Sequence, residues 1–453
     1  MAKILFSEVR TKSFLYDEIS AALLEEGHEI IWIVQNHLFK PENFSKVYCI
    51  DYPQKKDIRR AKQIEVDSDI IERVKKSDRM LNYFSKNANH YPYYFDKIRT
   101  ILSEERPDIV FGELGNFHTH FICLLARKME IPYYDIETSR YPNQRFSFHL
   151  YDKYCPIEIS PNEKVEQDFI KNFLGAVNNR NIVPDYMDKN SDKLFVKIWI
   201  QLKYRIKLLI EYIRGEKFST VSPLVFMYRK FATKVKYTRF KKTAVPLGKV
   251  QNLKSKGTKV LLYPMQMQPE FNLDVWGVEY RDQGNTIKKI SNALPENWQL
   301  VVKLNPKCRE DLNMNTLEGI QSRENISLLD PSVGMRKIDK LSDCVISVTG
   351  TVVLERVFNR KPVIALGDTF LSRENLVVKL NNFDELSNYL EKLSEIESKQ
   401  ASPEILFQEL INRSLEGWIT EPLNNPSVLQ KENISKIVSG INKVIKKNVD
   451  SPS

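Results

Sequence analysis

Apolar residues in this chain come in short runs separated by amphipathic stretches, and their order predicts alternating strands and helices. The run AKILFS is followed by the helix-like stretch TKSFLYDEISAALLEEG and then by a second run, HEIIWIV. Gly27 supplies a helix stop between the amphipathic stretch and the second run. We therefore predict a strand, helix and strand that open a parallel sheet.

The same alternation returns further along the chain. RPDIVFGEL, FHTHFICLLARKME and IPYYDIE read as strand, helix and strand, and a second series from Lys259 includes VLLYPMQ, QLVVKLNP, ISLLD, CVISVTG and PVIALG. Strands that alternate with helices favour doubly wound α/β domains. The predicted fold class is therefore α/β, with two Rossmann-like domains facing a crevice, a basic helical insertion and C-terminal helices.

Four segments follow from these patterns. We predict an N-terminal α/β domain at 1–190, a basic helical linker or insertion at 191–250, a C-terminal α/β domain at 251–390 and C-terminal helices at 391–453. The first boundary falls in the polar, Asn-rich stretch NNRNIVPDYMDKNSDK, which is typical of a linker. A chain of 453 residues is too long for one ordinary core, which agrees with two domains.

Positive charge is concentrated in one segment. The net charge of the chain is +10, but Lys193 to Lys259 alone contain 18 basic and two acidic residues, so the rest of the chain is acidic. Such a segment suits an anionic membrane surface, an acidic polymer or nucleic acid. Its stretch 194–214 has the pattern of a basic amphipathic helix, which either lies in a membrane interface or packs in the ordinary way with its Lys side chains reaching water. No nucleic-acid recognition motif accompanies the charge, so nucleic acid is not an expected partner.

Cysteine usage and the N-terminus favour a cytoplasmic protein, which the basic segment would attach peripherally to the inner membrane. The five cysteines are odd in number and never paired as CxxC, which argues against a disulfide framework and a zinc site. No apolar run of about eighteen residues occurs, and MAKILFSEVR lacks the pattern of a signal peptide. We expect neither a metal nor a cofactor.

The stretch CVISVTGTVVLERVFNRKPVIALG holds the first candidate site. Its pattern predicts strand, turn, helix and strand, with the turn at Thr349, Gly350 and Thr351. Small hydroxyl residues and glycine before a helix leave main-chain N–H groups directed outward at the positive end of the helix dipole. An anion, in particular a phosphate, is the ligand we expect at this turn.

Polar residues also follow the other predicted strands of the C-terminal domain, at the edge that faces the crevice of an open parallel sheet. They are Gln266, Gln268 and Glu270, then Lys303 and Asn305, and then Asp330. Glu355, four residues beyond Thr351, is placed either to accept hydrogen bonds from a ribose or to complement the helix dipole. Each residue alone reads as part of a polar loop, but their convergence predicts a site.

The order and spacing of these motifs resemble a known family. YPMQMQPEFN, YRDQGNTIKKISNALPENWQLVVKLNPK, ISLLDPS and VISVTGTVVLERVFNRKPVIALG resemble the capsule polysaccharide biosynthesis family, whose relatives include Kdo transferases of the GT-B fold. RPDIVFGE and IPYYDIETSRYP add weaker support. The resemblance implies that the turn holds the phosphate of a sugar nucleotide and that Glu355 binds its ribose. It further implies that Glu270 lies beside the anomeric carbon as a nucleophile or electrostatic stabiliser, while the sequence leaves the nearby Asp274 open as the reacting carboxylate. The strand-end positions of Gln268, Lys303 and Asn305 add these residues to the predicted nucleotide-binding set.

The chain departs from this family at two positions. Family members usually carry a histidine two residues before the Gln-Pro-Glu triplet and another before the proline after the Val-Lys strand, where this chain has Gln266 and Asn305. An amide can donate a hydrogen bond to a phosphate oxygen, but it does not carry a proton near neutral pH as imidazole does. Donor binding can survive these exchanges, whereas acid or base catalysis at the two positions cannot.

The N-terminal domain offers candidates for the acceptor side. Glu113 follows the DIVFG strand and is placed either as a general base or acceptor-orienting group or as a helix cap, and Glu137 and Arg140 follow the next strand as candidates for binding an anionic acceptor. His118 and His120 would form a metal pair only in an extended chain, and we expect a core or acceptor-side role for them. The DxD at 67–69 lies in a charged helical stretch, which predicts solvated surface rather than a metal site.

Together these patterns predict a GT-B-like, metal-independent glycosyltransferase of surface or capsular polysaccharide biosynthesis. It would transfer a sugar from a nucleotide-activated donor, with CMP-linked sugars among the candidates, to a lipid-linked or anionic glycan acceptor. Two alternatives stay open: a CDP-polyol phosphotransferase on the same fold, and a catalytically degenerate homologue that binds nucleotide or glycan.

Overall fold

The structure is a computed structural model of the 453-residue chain. It describes residues 1–84, 86–160, 163, 165–179, 182, 184, 194–268, 270, 272–305, 320 and 323–450, with side chains left out at 194–201 and 449–450. Most of the linker predicted at 178–193 lies outside these residues.

The described residues form thirteen strands. They are β1 Lys3–Ser7, β2 Glu29–Val34, β3 Lys46–Cys49, β4 Ile109–Gly112, β5 Tyr133–Thr138, β6 Arg145–Leu150, β7 Lys259–Pro264, β8 Trp298–Lys303, β9 Ile326–Leu329, β10 Cys344–Ser347, β11 Val363–Ala365, β12 Val378–Lys379 and β13 Leu415–Glu416.

The helices, numbered along the described part of the chain, are α1 Ser13–Glu25, α2 Lys55–Ala61, α3 Ser68–Ser77, α4 Arg79–Phe84, α5 Tyr91–Glu105, α6 Phe117–Lys128, α7 Gln167–Asn178, α8 Leu194–Arg214, α9 Pro223–Thr243, α10 Leu247–Ser255, α11 Gln283–Asn292, α12 Met335–Asp339, α13 Thr351–Phe358, α14 Phe370–Arg373, α15 Leu386–Glu391, α16 Leu393–Lys399, α17 Pro403–Asn412 and α18 Lys431–Asp450. No helix within the described part of the chain has both the length and the apolar content needed to cross a bilayer.

By their internal packing the residues divide into two compact units, neither of which is continuous in sequence. Unit 1 comprises Met1–Lys164, Val183–Pro223 and Glu409–Ser453, and unit 2 comprises Val165–Ile182 and Leu224–Gln408. The boundaries predicted at 190, 250 and 390 come from sequence patterns, and they remain predictions. The division into two units comes from packing in the structure.

Unit 1 is built on a seven-stranded sheet in the order β13-β6-β5-β4-β1-β2-β3. Strands β1 to β5 are parallel, whereas β6 and β13 run antiparallel to their neighbours. The rings of Phe6, Trp32 and Phe111 meet on one face of the sheet, with centroids 5.3 and 5.7 Å from the ring of Phe6. Helices α1 and α18 cover this face with apolar side chains, so the C-terminal helix of the chain belongs to the core of unit 1.

Unit 2 is built on a six-stranded sheet in the order β12-β11-β10-β7-β8-β9, in which every strand is parallel. Its strands are apolar on both faces, as a sheet covered by helices on both sides requires. All six strands place their carboxyl ends at one edge. The chain order reverses between β7 and β10, and the crevice at such a switch point is where open α/β sheets bind ligands.

The predicted fold class is confirmed as α/β, with two units that each contain a largely parallel sheet flanked by helices. The basic helical segment and the C-terminal helices are also present. Helix α8 has the bounds that the sequence pattern predicts, Leu194–Arg214.

A buried arginine holds helix α13 against unit 2. The Arg356 side chain is 1% exposed and its guanidinium donates to the carbonyl oxygens of Pro362, at 2.9 and 3.1 Å, and Asp343, at 3.1 Å. The same guanidinium forms an ion pair of 3.2 Å with Asp339. Because these partners lie just before β10 and β11, Arg356 fixes the C-terminal part of α13 at the amino ends of these two strands.

We expect Arg356→Met to lower the free energy of unfolding by about 3 kcal/mol, because it removes hydrogen-bond donors from the buried carbonyl groups of Pro362 and Asp343 and one of the two cations that pair with Asp339. Urea unfolding followed by circular dichroism measures this change. Arg336→Met on the exposed surface of α12 is the matched control, and equal losses in the two variants would contradict this role for Arg356.

Candidate functional site

The carboxyl edge of unit 2 brings most of the predicted donor-site residues to neighbouring strand ends. Strand β7 pairs with β8 on one side, where Pro264 is level with Lys303, and with β10 on the other, where Leu262 is level with Val345. Continuing this register puts Ser347 level with Pro264. The loops that carry Gln266, Lys303 and Thr349 therefore leave three adjacent strands at the same edge of the sheet.

The Thr349–Gly350–Thr351 turn has the geometry of an anion site. Gly350 is the N-cap of α13 with φ 109° and ψ 164°, a left-handed conformation that favours glycine, and this N-cap residue has no side chain to cap the helix. Thr349 is 2% exposed, and its Oγ1 has no hydrogen-bond partner among the residues that the structure describes. A buried hydroxyl without a partner beside a helix N-terminus is a combination that a phosphate oxygen satisfies.

Two predicted residues lie on the helix that follows the turn. Thr351 begins α13 and is buried, and Glu355 lies one turn further along and is partly buried. The main-chain carbonyl of Glu355 accepts from Asn359 within the helix. The positions agree with the predicted spacing of four residues between turn and carboxylate.

Gln266, which stands where the resembling family has a histidine, bridges two loops. Its Nε2 donates to Ser347 Oγ at 2.9 Å and to the Thr349 carbonyl at 3.0 Å. A side-chain atom added to Gly350 would lie 3.4 Å from the Gln266 amide, so the two residues are in close contact. The amide of Gln266 therefore shapes the turn, a role that the sequence did not indicate.

Hydrogen bonds among three glutamines, Gln266, Gln268 and Gln283, fix the loop after β7. Gln283 at the start of α11 accepts from Gln266 N at 2.7 Å, and its Nε2 donates to Gln268 Oε1 at 2.7 Å. Gln268 in turn donates to the carbonyl oxygen of Arg281 at 2.7 Å and is 6% exposed. The structure thus places Gln268, a predicted nucleotide-binding residue, inside the scaffold of this loop.

The Lys303 amine is buried, and no carboxylate of the described residues lies within ion-pair distance of it. The residue is 6% exposed, and among described residues its Nζ has one hydrogen bond, to the Pro331 carbonyl at 3.4 Å, and no ion pair. Burial lowers the pKa of Lys303 below its ordinary value, against a smaller opposing effect of Asp330. Asp330 itself accepts from Ser332 N and Ser332 Oγ, and these hydrogen bonds lower its pKa. A buried cation of this kind is stabilised by an anionic ligand.

The two candidates for the reacting carboxylate have different surroundings. Asp274 is 3% exposed and its Oδ1 lies 3.2 Å from Arg281 Nε, whose guanidinium also donates to the Asp274 carbonyl. Glu270 is partly exposed and begins the helical turn that leads to Asp274, with its main-chain oxygen accepting from Leu273 N and Asp274 N. Asp274 is therefore part of a structural ion pair, and Glu270 is the more accessible carboxylate. Asn305, two residues after β8, is partly buried.

The carboxyl edge of the unit 1 sheet carries a cluster of acids around one lysine. Glu113 Oε2, directly after β4, lies 2.6 Å from the Nζ of Lys12, which precedes α1. Asp135 and Glu137 lie two residues apart on β5, so their side chains are on the same face of the sheet. Burial alone would lower the pKa of Lys12, but the attraction of Glu113, Glu137 and Asp135 raises it.

Asp135 is a fully buried member of this cluster. Its Oδ2 accepts from Leu114 N at 3.2 Å, and its Oδ1 has no hydrogen-bond partner among described residues. Burial, followed by the repulsion of Glu137 and Glu113, raises the pKa of Asp135 well above its ordinary value of 3.8. Sequence reasoning identified Glu113 and Glu137 but missed Lys12 and Asp135, because a lysine before a helix and a polar residue inside a strand carry no local signal.

Other predicted residues of unit 1 have separate surroundings. The guanidinium of Arg140 lies 6.0 Å from the ring centre of Tyr154. His118 and His120 are both buried on α6 but contact different partners, Glu8 in the first case and Ser77 and Asp152 in the second.

The DxD motif caps a helix. Asp67 is the N-cap of α3, where its Oδ1 accepts from Asp69 N at 3.0 Å and Ile70 N at 3.2 Å. Across the described ranges, no three or more His, Cys, Asp or Glu side chains are grouped as a metal site would need.

Comparison with known proteins gives structural likeness only. No protein-family model matches the sequence, and no curated protein matches it. Among solved structures, the chain is similar to Thermosulfurimonas dismutans KpsC, a β-Kdo 2,4 transferase, with 12% identity, 74% of this chain and 88% of that one covered, and a TM-score of 0.40. It is also similar to S. aureus MnaA in a co-structure with UDP, with 13% identity, 100% and 99% covered, and a TM-score of 0.30.

A third likeness is to the UDP-GlcNAc 2-epimerase from Neisseria meningitidis bound to UDP-GlcNAc, with 15% identity, 91% and 100% covered, and a TM-score of 0.27. At TM-scores of 0.40 and below, the assignment of function rests on the residues of this chain.

The raised pKa of Asp135 predicts a distinctive pH dependence. The native state holds this proton above the pH at which an unfolded Asp releases it, so the stabilisation is complete below about pH 4 and is lost as the pH rises toward the native pKa. Asp135→Asn keeps the acceptor for Leu114 N and removes the titration. As the pH rises, we expect the unfolding free energy of Asp135→Asn to increase relative to that of the unchanged protein, by at most about 1.4 kcal/mol per pH unit.

Thermal unfolding across a pH series measures this trend. Asp67→Asn is the control, because its stability relative to the unchanged protein should change with pH in the opposite direction. The pKa of Asp67 is lowered by hydrogen bonds from Lys128 and Ile70 N, so its contribution is present above the ordinary pKa and is lost on acidification. A difference between Asp135→Asn and the unchanged protein that is independent of pH would contradict the protonated state of Asp135.

Proposed function

We propose that the carboxyl edge of unit 2 binds a nucleotide-activated sugar, and that the protein is a metal-independent glycosyltransferase of surface or capsular polysaccharide biosynthesis. The observation that carries this proposal is the buried Lys303 amine, which has no carboxylate within ion-pair distance among the described residues. Such a cation costs free energy in the empty protein, and an anionic ligand removes that cost. The orphaned Thr349 hydroxyl and the uncapped start of α13 supply a second anion site at the same edge.

The spacing of the two anion sites fits a sugar nucleotide. Lys303 ends β8 and the turn follows β10, with β7 between them, so the sites are separated by two strand spacings, or about 10 Å. An extended ligand with anionic groups along its length can reach both sites. We assign a phosphate to Thr349, Gly350 and Thr351, the ribose to Glu355, a second anionic group of the ligand to Lys303, and a remaining polar contact to Asn305.

Glu270 is the proposed reacting carboxylate of the donor site. Its rival Asp274 is buried in an ion pair with Arg281, whereas Glu270 lies on the partly exposed loop after β7. In the transfer, the acceptor oxygen bonds to the anomeric carbon while the bond from that carbon to the donor phosphate breaks, and the phosphate leaves with the electron pair. A carboxylate beside the anomeric carbon stabilises the positive charge that develops there.

Unit 1 supplies the proposed acceptor-side groups. Glu113, held by Lys12 at 2.6 Å, is the candidate for the general base that removes the proton of the acceptor hydroxyl. Glu137 and Arg140 remain candidates for contacts with an anionic glycan. The proton affinity of Asp135 adds a neutral acid to this cluster, and a neutral acid can donate a hydrogen bond that a carboxylate cannot.

The acceptor is proposed to be lipid-linked at the inner-membrane surface, and helix α8 supports this part of the proposal. Its exposed residues Leu202, Ile206, Leu209, Ile210 and Ile213 recur at helical spacing on one side, whereas Glu211 on the opposite side is buried and accepts from Tyr52 OH at 2.7 Å. A helix attached by one face with an apolar stripe on the other is suited to lie in a membrane interface.

A second candidate function is a homologue that binds the nucleotide without transferring a sugar. The observation that favours it is the position of Gln266, whose amide N–H groups bond to Ser347 and Thr349 instead of carrying a proton. Nucleotide binding without turnover would support this candidate, and turnover would rule it out. Transfer of a polyol phosphate from a CDP-activated donor would instead identify the phosphotransferase alternative.

We expect one of CMP, CDP, UDP, GDP or their sugar conjugates to raise the melting temperature. At a ligand concentration of one hundred times Kd, binding stabilises the native state by about 2.7 kcal/mol. Lys303→Met should abolish this shift while leaving the ligand-free melting temperature unchanged or raised, because the uncompensated buried charge is gone. Lys259→Met, at the opposite edge of the same sheet, is the control that should keep the shift. A shift that survives Lys303→Met would exclude Lys303 from the donor site.

We expect Glu270→Gln to lower kcat by about 10² to 10⁴ while the thermal shift with donor persists, because the amide keeps the shape but not the charge of the reacting group. Nucleotide release from the donor identified by the shift measures kcat. Asp274→Asn should instead lower the melting temperature, because it disrupts the ion pair with Arg281. Full activity in Glu270→Gln would remove Glu270 from the mechanism.

A further inference from the structure

Helix α9, Pro223–Thr243, is apolar on two opposite faces, of which one is covered. Phe240 is 1% exposed and belongs to the core of unit 2, with Tyr237 packed against the same core. Thr233, two turns before Phe240 on the same face, is also buried. Beyond the helix, Val245 N donates to the Leu328 carbonyl and so attaches the chain to β9 at the sheet edge. The C-terminal half of α9 is thus fixed to unit 2.

The opposite face of α9 exposes a continuous apolar stripe. Its members, which we call the α9 stripe, are Leu224 at 78% exposure, Met227 at 68%, Tyr228 at 73%, Phe231 at 69% and Val235 at 39%. The intervals of three and four residues place all five on one side of the helix, over a length of about 16 Å. Single exposed apolar residues are normal on a protein surface, whereas an ordered stripe with two aromatic side chains indicates an interaction surface.

The charge around the stripe indicates what covers it. The 21 residues of α9 include seven basic side chains and no acidic one. They are Arg229, Lys230, Lys234, Lys236, Arg239, Lys241 and Lys242. Lys234 and Arg239 lie about 80° and 60° around the helix from the centre of the stripe, so they flank it on both sides. An apolar stripe between basic side chains is complementary to a surface that is apolar inside and anionic outside.

We propose that the α9 stripe inserts into the interface of an anionic lipid bilayer, with the flanking lysines and arginines on the lipid phosphates. The helix lies in the plane of the interface, since the described helices include none that could span the membrane. Its attachment through Phe240 and Val245 then holds unit 2 in a defined orientation at the bilayer. This inference deepens the proposed function at its membrane end, but vesicle binding needs no donor nucleotide, so either can fail without the other.

The test is co-sedimentation of the full chain with vesicles of phosphatidylcholine alone or mixed with phosphatidylglycerol. We expect binding to the mixed vesicles only, weakened at least about tenfold by Met227→Ser with Phe231→Ser, which removes the largest apolar contacts of the stripe. Phe169→Ser with Ile405→Ser, two exposed apolar residues of unit 2 outside α9, is the matched control and should bind as the unchanged protein does.

Charge is tested separately. Lys234→Gln with Arg239→Gln, the two exposed basic residues that flank the stripe, should weaken binding to the mixed vesicles roughly 25-fold, because each basic side chain near an anionic surface contributes about fivefold. Lys249→Gln with Lys256→Gln, exposed lysines of α10 and the residue after it, is the control and should weaken binding much less.

Insertion is distinguished from electrostatic adhesion by Phe231→Trp. Its added fluorescence should be quenched by brominated lipids in the mixed vesicles, whereas adhesion through lysine alone would leave it unquenched and would overturn the proposal. Equal binding by the stripe variant and the unchanged protein would also overturn it. A third contrary outcome is a stripe variant that binds vesicles as the unchanged protein does but has a lower mass in solution. That result would make the stripe a contact between copies of this chain.

Discussion

Hydrogen bonding on both sides of β7 is the constraint on which the proposed donor site of unit 2 depends. Strand β7 pairs in parallel with β8 and with β10, and this pairing fixes which residues share the carboxyl edge at the switch point. A shift of one residue in either pairing would turn every side chain of that strand to the other face of the sheet. The position of Lys303 relative to the Thr349–Thr351 turn is therefore a consequence of strand register.

Amides replace ionisable groups in the framework of this edge. Gln266, Gln268 and Gln283 form a continuous set of hydrogen bonds that joins the loop after β7 to the turn after β10. Because an amide both donates and accepts without changing charge, this framework keeps its geometry over a wide pH range. Lys303 differs from the buried Asp274, which pairs with Arg281, because its amine forms no ion pair among the described residues, and the proposed function depends on this difference.

The two units use buried charge differently. At the edge of unit 1, Lys12 is surrounded by Glu113, Asp135 and Glu137, and the excess of acids is relieved because Asp135 retains its proton. In unit 2 the buried amine of Lys303 has no carboxylate close enough for an ion pair within the described residues, and in the proposed function an anionic ligand supplies the negative charge. The first arrangement retains a proton, and the second is the basis of the proposed anion binding.

Local patterns in the sequence determined the α/β class, the parallel strands, the bounds of α8 and the strand-end positions of Glu113, Lys303 and the TGT turn. These features depend on periodicity and on residues within one turn or strand, which a sequence displays directly. Only the tertiary structure decided that Gln266 bridges to Ser347, that Asp274 pairs with Arg281, and that α18 packs in the core of unit 1. An amphipathic helix or a polar side chain shows that it needs a partner, but which partner it meets depends on chain segments far away in sequence.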